Sequence, residues 1–364
     1  MTLPDAPQPR PGVMEAPLYK GGQHHVDGTD QPIVLSANEN PLGPSALAVA
    51  AFERTAHDLH RYPDGGSEAL RDAIATRFGC DAAGIVCGAG SGELIQLLMR
   101  AYVGPGDEVV HSRHGFLMYS IAATGVGAHP VAAPETDLTA DVDALLGCVT
   151  DRTKLVFLAN PNNPTGTYLP RDALVRLRAG LPDHVLLVID AAYAEYVSRN
   201  DYSDGSDLVE AFPNVVMTRT FSKIFGLAGL RLGWCYCPPA VAEALNRLRG
   251  PFNVSMPAQA AGIAAVKDVG HTDAGRAHND IWLPWLRARL EGLGLETTPS
   301  VGNFVLARFG SKDMARRAHA FLLARGIIVR GMASYGLPEA LRITVGLDRE
   351  LEAATAALAD FEAA

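Results

Sequence analysis

The sequence predicts an α/β fold, with a large domain whose mostly parallel sheet is sandwiched by helices and a small α+β domain. Two observations predict it. After residue 68, amphipathic stretches alternate with short apolar runs such as "GIVCG", "KLVFLAN", "HVLLVID" and "NVVMTRT", which is the pattern of successive βαβ units. From about residue 251, long helical stretches precede the strand-like "NFVLARF", "IIVR" and "LRITVG". A chain of 364 residues is long enough for both domains.

Three segments are expected. Residues 1–45 form an N-terminal arm, because "PDAPQPRPG" and "KGGQHHVDGTDQP" are rich in Pro, Gly and polar groups and need another surface to order them. Residues 46–250 form the large domain, and residues 251–364 form the small C-terminal domain. Ligands are expected outside the carboxyl ends of the parallel strands.

Composition excludes several classes of function. A net charge of −9 argues against a nucleic-acid or anionic-membrane partner. No apolar run reaches transmembrane length, and "MTLPDAPQPRPG" lacks the features of a signal peptide, so we expect a cytoplasmic protein. Five cysteines without metal-type spacing indicate reduced thiols and no metal site.

A glycine-rich turn follows the first of these apolar runs. In "GIVCGAGSGELIQLL" the turn lets the backbone approach a ligand, and the free N–H groups of Ser91 and Gly92 at a helix start favour a phosphate. A dinucleotide-binding fold is the alternative, since Asp107 and Glu108 lie near the distance expected for a ribose ligand, but the spacing is GxGxG and not GxGxxG.

Polar side chains follow the next strands. Asn163 of "FLANPNNPTG" could donate to a ligand oxygen, although the segment could also be only a turn. In "LLVIDAAYAEY", Asp190 ends an apolar strand, where burial raises the pKa of a lone carboxyl unless a cation lies against it. Tyr193 follows three residues later.

Two cations lie in the apolar run "RTFSKIFGLAGLRLGW", which follows "NVVMTRT". A buried cation is costly without an anionic partner, so Lys223 and Arg231 either bind one or extend to solvent. The same strand end delivers Thr220 and Ser222. Pyridoxal phosphate fits the whole set, with an aldehyde for Lys223 and a phosphate for Arg231. Its remaining contacts would be Asp190 at the pyridine nitrogen, Tyr193 and Asn163 at the 3-oxygen, and Thr220, Ser222 and the glycine-turn amides at the phosphate.

Five ordered motifs carry a resemblance to a known family: "SANENPLGPS", "RYPDGG", "NPNNPTG", "TFSKIFGLAGLRLGW" and "LRITVG". From about residue 31 to the end, the chain resembles the fold-type I (class II) pyridoxal-phosphate-dependent aminotransferases, and most closely the histidinol-phosphate aminotransferases. The resemblance implies that residues 46–250 bind the cofactor, that the arm joins the small domain, and that the protein is a homodimer with shared active sites.

The resemblance also implies site roles. Lys223 is the Schiff-base lysine and, with Asp190 and Tyr193, belongs to the catalytic set. Further roles are Phe116 stacked on the cofactor ring, Tyr62 on the cofactor phosphate of the partner subunit, Arg342 on the substrate α-carboxylate, and Asn38 and Tyr19 as substrate contacts. The chain departs from the family at "GF" in "HGFLMY", where Thr-Tyr is common, and "APLYKGG" matches the family's arm loosely.

The implied reaction is transamination between L-histidinol phosphate and 2-oxoglutarate, giving imidazole acetol phosphate and glutamate in histidine biosynthesis. Histidinol phosphate has no α-carboxylate and glutamate has two carboxylates, so one site takes phosphate and carboxylate in turn. Arg330 and Arg342 suit this because guanidinium binds either anion, although Arg330 could also be a surface residue. An aromatic-amino-acid aminotransferase, a phosphothreonine decarboxylase-type lyase and a cofactor-sensing regulator are the alternatives; the last would need a DNA-binding segment, which is not found.

Overall fold

The structure, a computed structural model, describes residues 7–26 and 31–362 of the chain. Parts of the predicted arm, residues 1–6 and 27–30, lie outside the described residues. The strands are β1 (Ile33–Val34), β2 (Ile85–Gly88), β3 (Glu108–Ser112), β4 (His129–Ala133), β5 (Glu135–Thr136), β6 (Thr139–Ala140), β7 (Thr153–Ala159), β8 (Leu186–Asp190), β9 (Val215–Thr220), β10 (Gly233–Tyr236), β11 (Glu296–Thr297), β12 (Phe304–Arg308), β13 (Ile327–Ile328), β14 (Arg330–Gly331) and β15 (Ala340–Thr344).

The helices alternate with these strands over most of the described chain. They are α1 (Ala46–Arg54), α2 (Glu68–Phe78), α3 (Ser91–Tyr102), α4 (Met118–Gly125), α5 (Val142–Gly147), α6 (Arg171–Gly180), α7 (Ser206–Ala211), α8 (Pro239–Leu248), α9 (Met256–Lys267), α10 (Val269–Gly292), α11 (Lys312–Leu323) and α12 (Asp348–Glu362). Serine side chains cap several starts: Ser45, Ser255 and Ser311 each accept a hydrogen bond from a backbone N–H in the first turn.

Seven strands form the central sheet in the order β2-β10-β9-β8-β7-β3-β4. Strand β10 is antiparallel to both of its neighbours, and the other four pairings are parallel. Every residue of β8 and β9 is buried, as expected for parallel strands with helices on both faces. The predicted mostly parallel sheet is confirmed.

Two apolar clusters cover the faces of the central sheet. Leu187 and Ile189 of β8 pack with α1, α2, α5, α6 and α9 in one cluster. Leu186 and Val188 point to the other face and pack with α3, α4 and α8. This alternation follows from the two-residue period of a strand and gives the predicted sandwich of helix, sheet and helix.

A second, antiparallel sheet has the order β11-β12-β15-β14. Leu341 and Ile343 of β15 face a cluster that includes residues of α10, α11 and α12. Arg342 lies between them and therefore points to the opposite face. That face is directed toward the central sheet.

Residues 33–35, which precede α1, contact this second unit. Strand β1 pairs in parallel with β13, and Leu35 belongs to the same apolar cluster as Ile343. The domain limits at residues 45/46 and 250/251 stay a prediction. Among the described residues, no helix combines the length and apolarity needed to cross a bilayer.

Candidate active site

A cavity of about 560 Å³ lies between the carboxyl ends of the central strands and the second sheet. The last residues of β7, β8 and β9 (Ala159, Asp190 and Thr220) all line it. Every site residue predicted from the sequence lines this cavity except Tyr62: Tyr19, Asn38, Ser91, Gly92, Phe116, Asn163, Asp190, Tyr193, Thr220, Ser222, Lys223, Arg231, Arg330 and Arg342.

Lys223 comes three residues after β9 and is half-buried at the cavity wall. Its Nζ donates a hydrogen bond to the carbonyl oxygen of Ala37 at 2.8 Å. Burial, together with the positive charges of Arg342 and Arg231 and against the negative charge of Glu39, lowers the pKa of Lys223 to about 7. A substantial fraction of this amine is therefore neutral and nucleophilic near neutral pH.

The start of helix α3 forms one end of the cavity. Gly90 precedes the helix with φ of 82°, a conformation that favours glycine. A Cβ at Gly90 would lie 2.6 Å from Nη2 of Arg231, so the absence of a side chain lets this guanidinium approach the helix start. The helix dipole and the guanidinium both favour an anion at this position.

Arg231 is held at this end by groups of its own segment. Its Nη1 donates to the carbonyl oxygen of Ala228 at 2.9 Å and to Oγ of Ser222 at 3.4 Å. The backbone N–H of Ser222 donates to Oγ1 of Thr220 at 3.1 Å. These hydroxyls, the guanidinium and the start of α3 form the kind of site that binds a phosphate.

Asp190 is the buried carboxylate of the site. Tyr119 donates a hydrogen bond to its Oδ2 at 2.8 Å, whereas Oδ1 has no hydrogen-bond partner among the described residues. Burial raises the pKa of Asp190, and the hydrogen bond from Tyr119 partly offsets this. A buried oxygen without a donor indicates a place for a ligand N–H.

Tyr193 lies beside this carboxylate and is also buried. Its hydroxyl oxygen accepts a hydrogen bond from Nδ2 of Asn38 at 2.9 Å. Burial raises the pKa of Tyr193 to about 12 against the opposing charge of Arg342. The hydroxyl therefore keeps its proton and can donate a hydrogen bond to a ligand oxygen.

Arg342 is almost completely buried and pairs with no carboxylate among the described residues. Its guanidinium donates to the carbonyl oxygen of Ser36 at 2.6 Å and to Oδ1 of Asn163. This pairing engages the amide oxygen of Asn163 and leaves its amide nitrogen as the donor for a ligand. Burial lowers the pKa of Arg342, and Nε lacks a partner, so an anion would stabilise this group.

Arg330 has a contact that the sequence did not predict. It donates hydrogen bonds to the carbonyl oxygens of Gly21 and of Lys20, the latter at 2.5 Å. These bonds hold the N-terminal arm over the cavity, where Tyr19 and His24 also line the wall. Arg330 thus connects the arm to the second sheet.

Aromatic rings form another wall. Phe116 contacts Tyr19 edge-on, with ring centroids 6.1 Å apart. Tyr335 lies in the segment between Arg330 and Arg342 and is buried at the cavity. This wall suits a planar ligand.

Tyr62 lies outside the cavity of its own chain. Its side chain is 81% exposed and stacks on Phe252 with centroids 4.6 Å apart. Its predicted role in a partner subunit stays a prediction.

The dinucleotide alternative is not supported by the geometry. Among the described residues, strand β2 pairs only with β10, and that pairing is antiparallel. Glu108 begins β3 and binds Arg152 and Thr150, and Asp107 accepts a hydrogen bond from the Gly104 amide. Both carboxylates are thus engaged in local structure away from the cavity.

Sequence reasoning missed Tyr119, Tyr335, His24 and Glu39. A signal existed for Tyr119, which is a polar aromatic residue three positions after Phe116 in "HGFLMYS". The carbonyl groups of Ser36 and Ala37 gave no signal, because every residue carries one.

The chain is similar in sequence to known aminotransferases. A family model described as aminotransferase class I and II matches residues 30–358. The chain is 59% identical over 359 residues to the histidinol-phosphate aminotransferase of Paramagnetospirillum magneticum, covering 98% of this chain and 99% of the relative. It is 58% identical to the histidinol-phosphate aminotransferase of Rhodospirillum centenum, with 98% of each chain covered.

Solved structures share the fold. The crystal structure of histidinol-phosphate aminotransferase from Sinorhizobium meliloti in complex with pyridoxal-5'-phosphate matches with a TM-score of 0.89 at 29% identity, covering 99% of each chain. The aspartate aminotransferase from Thermus thermophilus with maleate matches with a TM-score of 0.81 at 22% identity, covering 91% of each chain. The second similarity concerns the fold alone.

Proposed function

This chain belongs to the class I and II aminotransferase family, and we propose that it transfers the amino group of L-histidinol phosphate to 2-oxoglutarate, yielding imidazole acetol phosphate and glutamate. It is a fold-type I, pyridoxal-phosphate-dependent enzyme, and its role is in histidine biosynthesis. The observation that carries the substrate assignment is 59% identity to a histidinol-phosphate aminotransferase over 98% of the chain.

The residues of the cavity fit pyridoxal phosphate. The unpartnered Oδ1 of Asp190 suits a protonated ring nitrogen. The Gly90 turn, where a Cβ would collide with Arg231, suits the phosphate. Asp190 would hold the ring nitrogen, Tyr193 and Asn163 the ring oxygen, and Arg231, Ser222, Thr220, Ser91 and Gly92 the phosphate. Lys223 would hold the aldehyde carbon.

The cofactor supplies an electron sink that stabilises negative charge on the substrate carbon bearing the amino group. Lys223 has a pKa near 7, so Nζ can accept the proton from that carbon and return it at a neighbouring position. Asp190 would keep a positive charge on the ring nitrogen, and Tyr193 would donate a hydrogen bond to the ring oxygen.

Both substrates carry an anion that Arg342 can bind. Its buried guanidinium lacks a carboxylate partner and has an unpartnered Nε, and Arg330 adds a second positive charge at the same wall. The phosphate of histidinol phosphate and a carboxylate of glutamate would occupy this position in turn. The aromatic wall of Phe116, Tyr19 and Tyr335 would contact the imidazole ring.

An aromatic-amino-acid aminotransferase is the second candidate function. The same aromatic wall favours it, since a phenyl ring would contact these side chains as well as an imidazole does.

Steady-state kinetics on three amino donors test the assignment. The protein would be assayed with histidinol phosphate, phenylalanine and tyrosine, each with 2-oxoglutarate, and glutamate formation would be measured. We expect the highest kcat/KM with histidinol phosphate. A higher kcat/KM with phenylalanine or tyrosine would instead assign the protein as an aromatic aminotransferase, and release of CO2 without glutamate would indicate a lyase.

We also propose a homodimer with shared active sites. Tyr62 and Phe252 form an exposed aromatic pair. An apolar groove beside α1 is lined by Pro44, Phe52 and Leu227. Exposed apolar surface of this kind is typical of an interface. In such a dimer Tyr62 of the partner subunit would contact the cofactor phosphate.

A cytoplasmic location is proposed on the chemistry of the thiols. All five cysteines are free in the structure, and Cys87, Cys235 and Cys237 are buried. Free thiols are typical of a reducing compartment.

A further inference from the structure

Tyr119 connects two elements of the candidate site without lining the cavity. It lies in the first turn of α4 and is fully buried. Its hydroxyl donates to Oδ2 of Asp190 at 2.8 Å, and its ring meets Phe116 edge-on with centroids 5.8 Å apart and an interplanar angle of 90°. Tyr119 therefore contacts both Asp190, proposed to bind the cofactor nitrogen, and Phe116, proposed to stack on the cofactor ring.

The environment of Tyr119 fixes its orientation. Its ring stacks on Phe157 of β7, with centroids 4.6 Å apart and planes inclined by 18°. A fully buried phenol that contacts two other aromatic rings has little rotamer freedom. The hydroxyl therefore has a fixed position relative to Asp190.

The hydrogen bond divides the two oxygens of Asp190 between different tasks. Oδ2 is held by Tyr119, and Oδ1 has no hydrogen-bond partner among the described residues. The Thr218 hydroxyl and the Ala192 amide lie close enough to lower the pKa of the carboxyl, but neither forms a hydrogen bond of good geometry with Oδ1. Tyr119 is thus the one group that fixes the orientation of this carboxylate by a well-formed hydrogen bond in the described chain.

The charge of Asp190 also depends on this contact. Burial raises the pKa of the carboxyl, and the Tyr119 hydrogen bond lowers it. Burial and the neighbouring carboxylate raise the pKa of Tyr119 well above its usual value, so the phenol remains a neutral donor. Loss of the hydroxyl would therefore move ionisation of Asp190 to higher pH.

We propose that Tyr119 is a positioning residue, which holds Asp190 ionised with Oδ1 directed at the cofactor ring nitrogen and fixes the ring of Phe116 on the same wall. This inference rests on the proposed function for the identity of the cofactor. It does not depend on which amino donor the enzyme uses.

A matched pair of substitutions tests the proposal. Tyr119→Phe removes the hydroxyl and keeps the ring. Tyr236→Phe is the control, because Tyr236 is also a buried tyrosine that donates a hydrogen bond to a carboxylate, that of Glu210, and lies outside the cavity. Thermal unfolding of the two apo variants measures how much stability each protein loses with its tyrosine hydroxyl.

The first readout is the dissociation constant of pyridoxal phosphate as a function of pH, measured by equilibrium dialysis. In all three proteins, we expect the affinity for the cofactor to fall a few-fold where Asp190 becomes protonated. For Tyr119→Phe we expect this fall to begin at higher pH than in the unmodified protein and in Tyr236→Phe. The cofactor's own ionisations are common to the three proteins and cancel in the comparison.

The second readout is kcat as a function of pH with whichever amino donor the enzyme accepts. For Tyr119→Phe we expect about a tenfold loss near pH 7, as for removal of one hydrogen bond to a charged group, and partial recovery as pH rises. Tyr236→Phe should follow the unmodified protein. Identical pH profiles of affinity and kcat in all three proteins would overturn the proposal.

Failure of the proposed function would look different. An enzyme that binds the cofactor but does not transaminate histidinol phosphate would contradict the substrate assignment. The pH dependence of cofactor affinity would still decide the role of Tyr119.

Discussion

Arg330 of β14 and Arg342 of β15 lie directly opposite each other in antiparallel pairing, and both side chains line the cavity. Like charges in this position destabilise a sheet, and the positive charge of Arg330 helps to lower the pKa of Arg342, after burial. An anion bound between the two groups would remove this repulsion. The arrangement therefore favours substrates that carry a phosphate or a carboxylate.

Substitution of Arg330 tests its part in this pair. Arg330→Ala should lower kcat/KM for histidinol phosphate by about tenfold or more, since a hydrogen bond to a charged group contributes about 1.5–3 kcal/mol. The loss for phenylalanine should be smaller, because its carboxylate can still use Arg342. Arg308→Ala is the control, as Arg308 lies in the same sheet and binds Glu296 and Glu339 outside the cavity. Equal losses on both substrates would mean that Arg330 acts only through its bonds to the arm.

The pKa of Lys223 predicts how the apo protein captures the cofactor. Only the neutral amine attacks an aldehyde, so the rate of attachment should rise with pH up to about 7 and level off above it. If the lysine had an ordinary pKa, the rate of attachment would still be rising at pH 9. Stopped-flow absorbance on mixing apo protein with pyridoxal phosphate measures this rate. Lys223→Ala, the control, should bind some cofactor without covalent attachment and should show no turnover, and near-normal turnover by it would contradict the assignment of this lysine.

Neutralising Asp190 should affect catalysis far more than cofactor affinity. Asp190→Asn removes the charge that keeps the ring nitrogen protonated, whereas the phosphate contacts of Arg231 remain. We expect kcat to fall by more than about tenfold, or about 1.4 kcal/mol of transition-state stabilisation, with a few-fold change in cofactor dissociation constant. Glu195→Gln, which alters a buried carboxylate that binds Arg219 away from the cavity, should reduce stability and leave kcat close to normal. A kcat loss below tenfold in Asp190→Asn would make Asp190 a structural residue.

Mixed dimers test whether Tyr62 crosses between subunits. Tyr62→Phe and Lys223→Ala proteins would be exchanged at a cofactor concentration that saturates only the unmodified enzyme. Each hybrid then has one site with Lys223 from one chain and Tyr62 from the other, so random exchange should restore about a quarter of normal activity. Activity that merely averages the two parents would place Tyr62 in its own chain's site, and an active monomer in sedimentation would exclude the dimer.

The sequence predicted the fold and most of the cavity because the strongest signals coincide there. Continuous apolar runs identified the buried strands, and Asp190, Thr220 and Lys223 stood where those runs end. Carboxyl ends of parallel strands meet at one edge, so placement along the chain sufficed to bring these residues together.

Other contacts could not be predicted from residue type and spacing. Arg330 binds carbonyl oxygens of the arm more than 300 positions away, and backbone acceptors carry no signal in the sequence. Tyr119 was not predicted from the sequence, because the direction of its hydroxyl depends on packing against Phe157. Such contacts are decided by tertiary structure.

The most direct test of the assignment compares kcat/KM for histidinol phosphate with kcat/KM for histidinol, the same amine without its phosphate. We expect a preference of at least about thirtyfold for the phosphorylated substrate, because unpairing a buried guanidinium such as Arg342 costs about 2–5 kcal/mol. Equal kcat/KM for the two amines would contradict the assignment, since the cavity would then not recognise the phosphate.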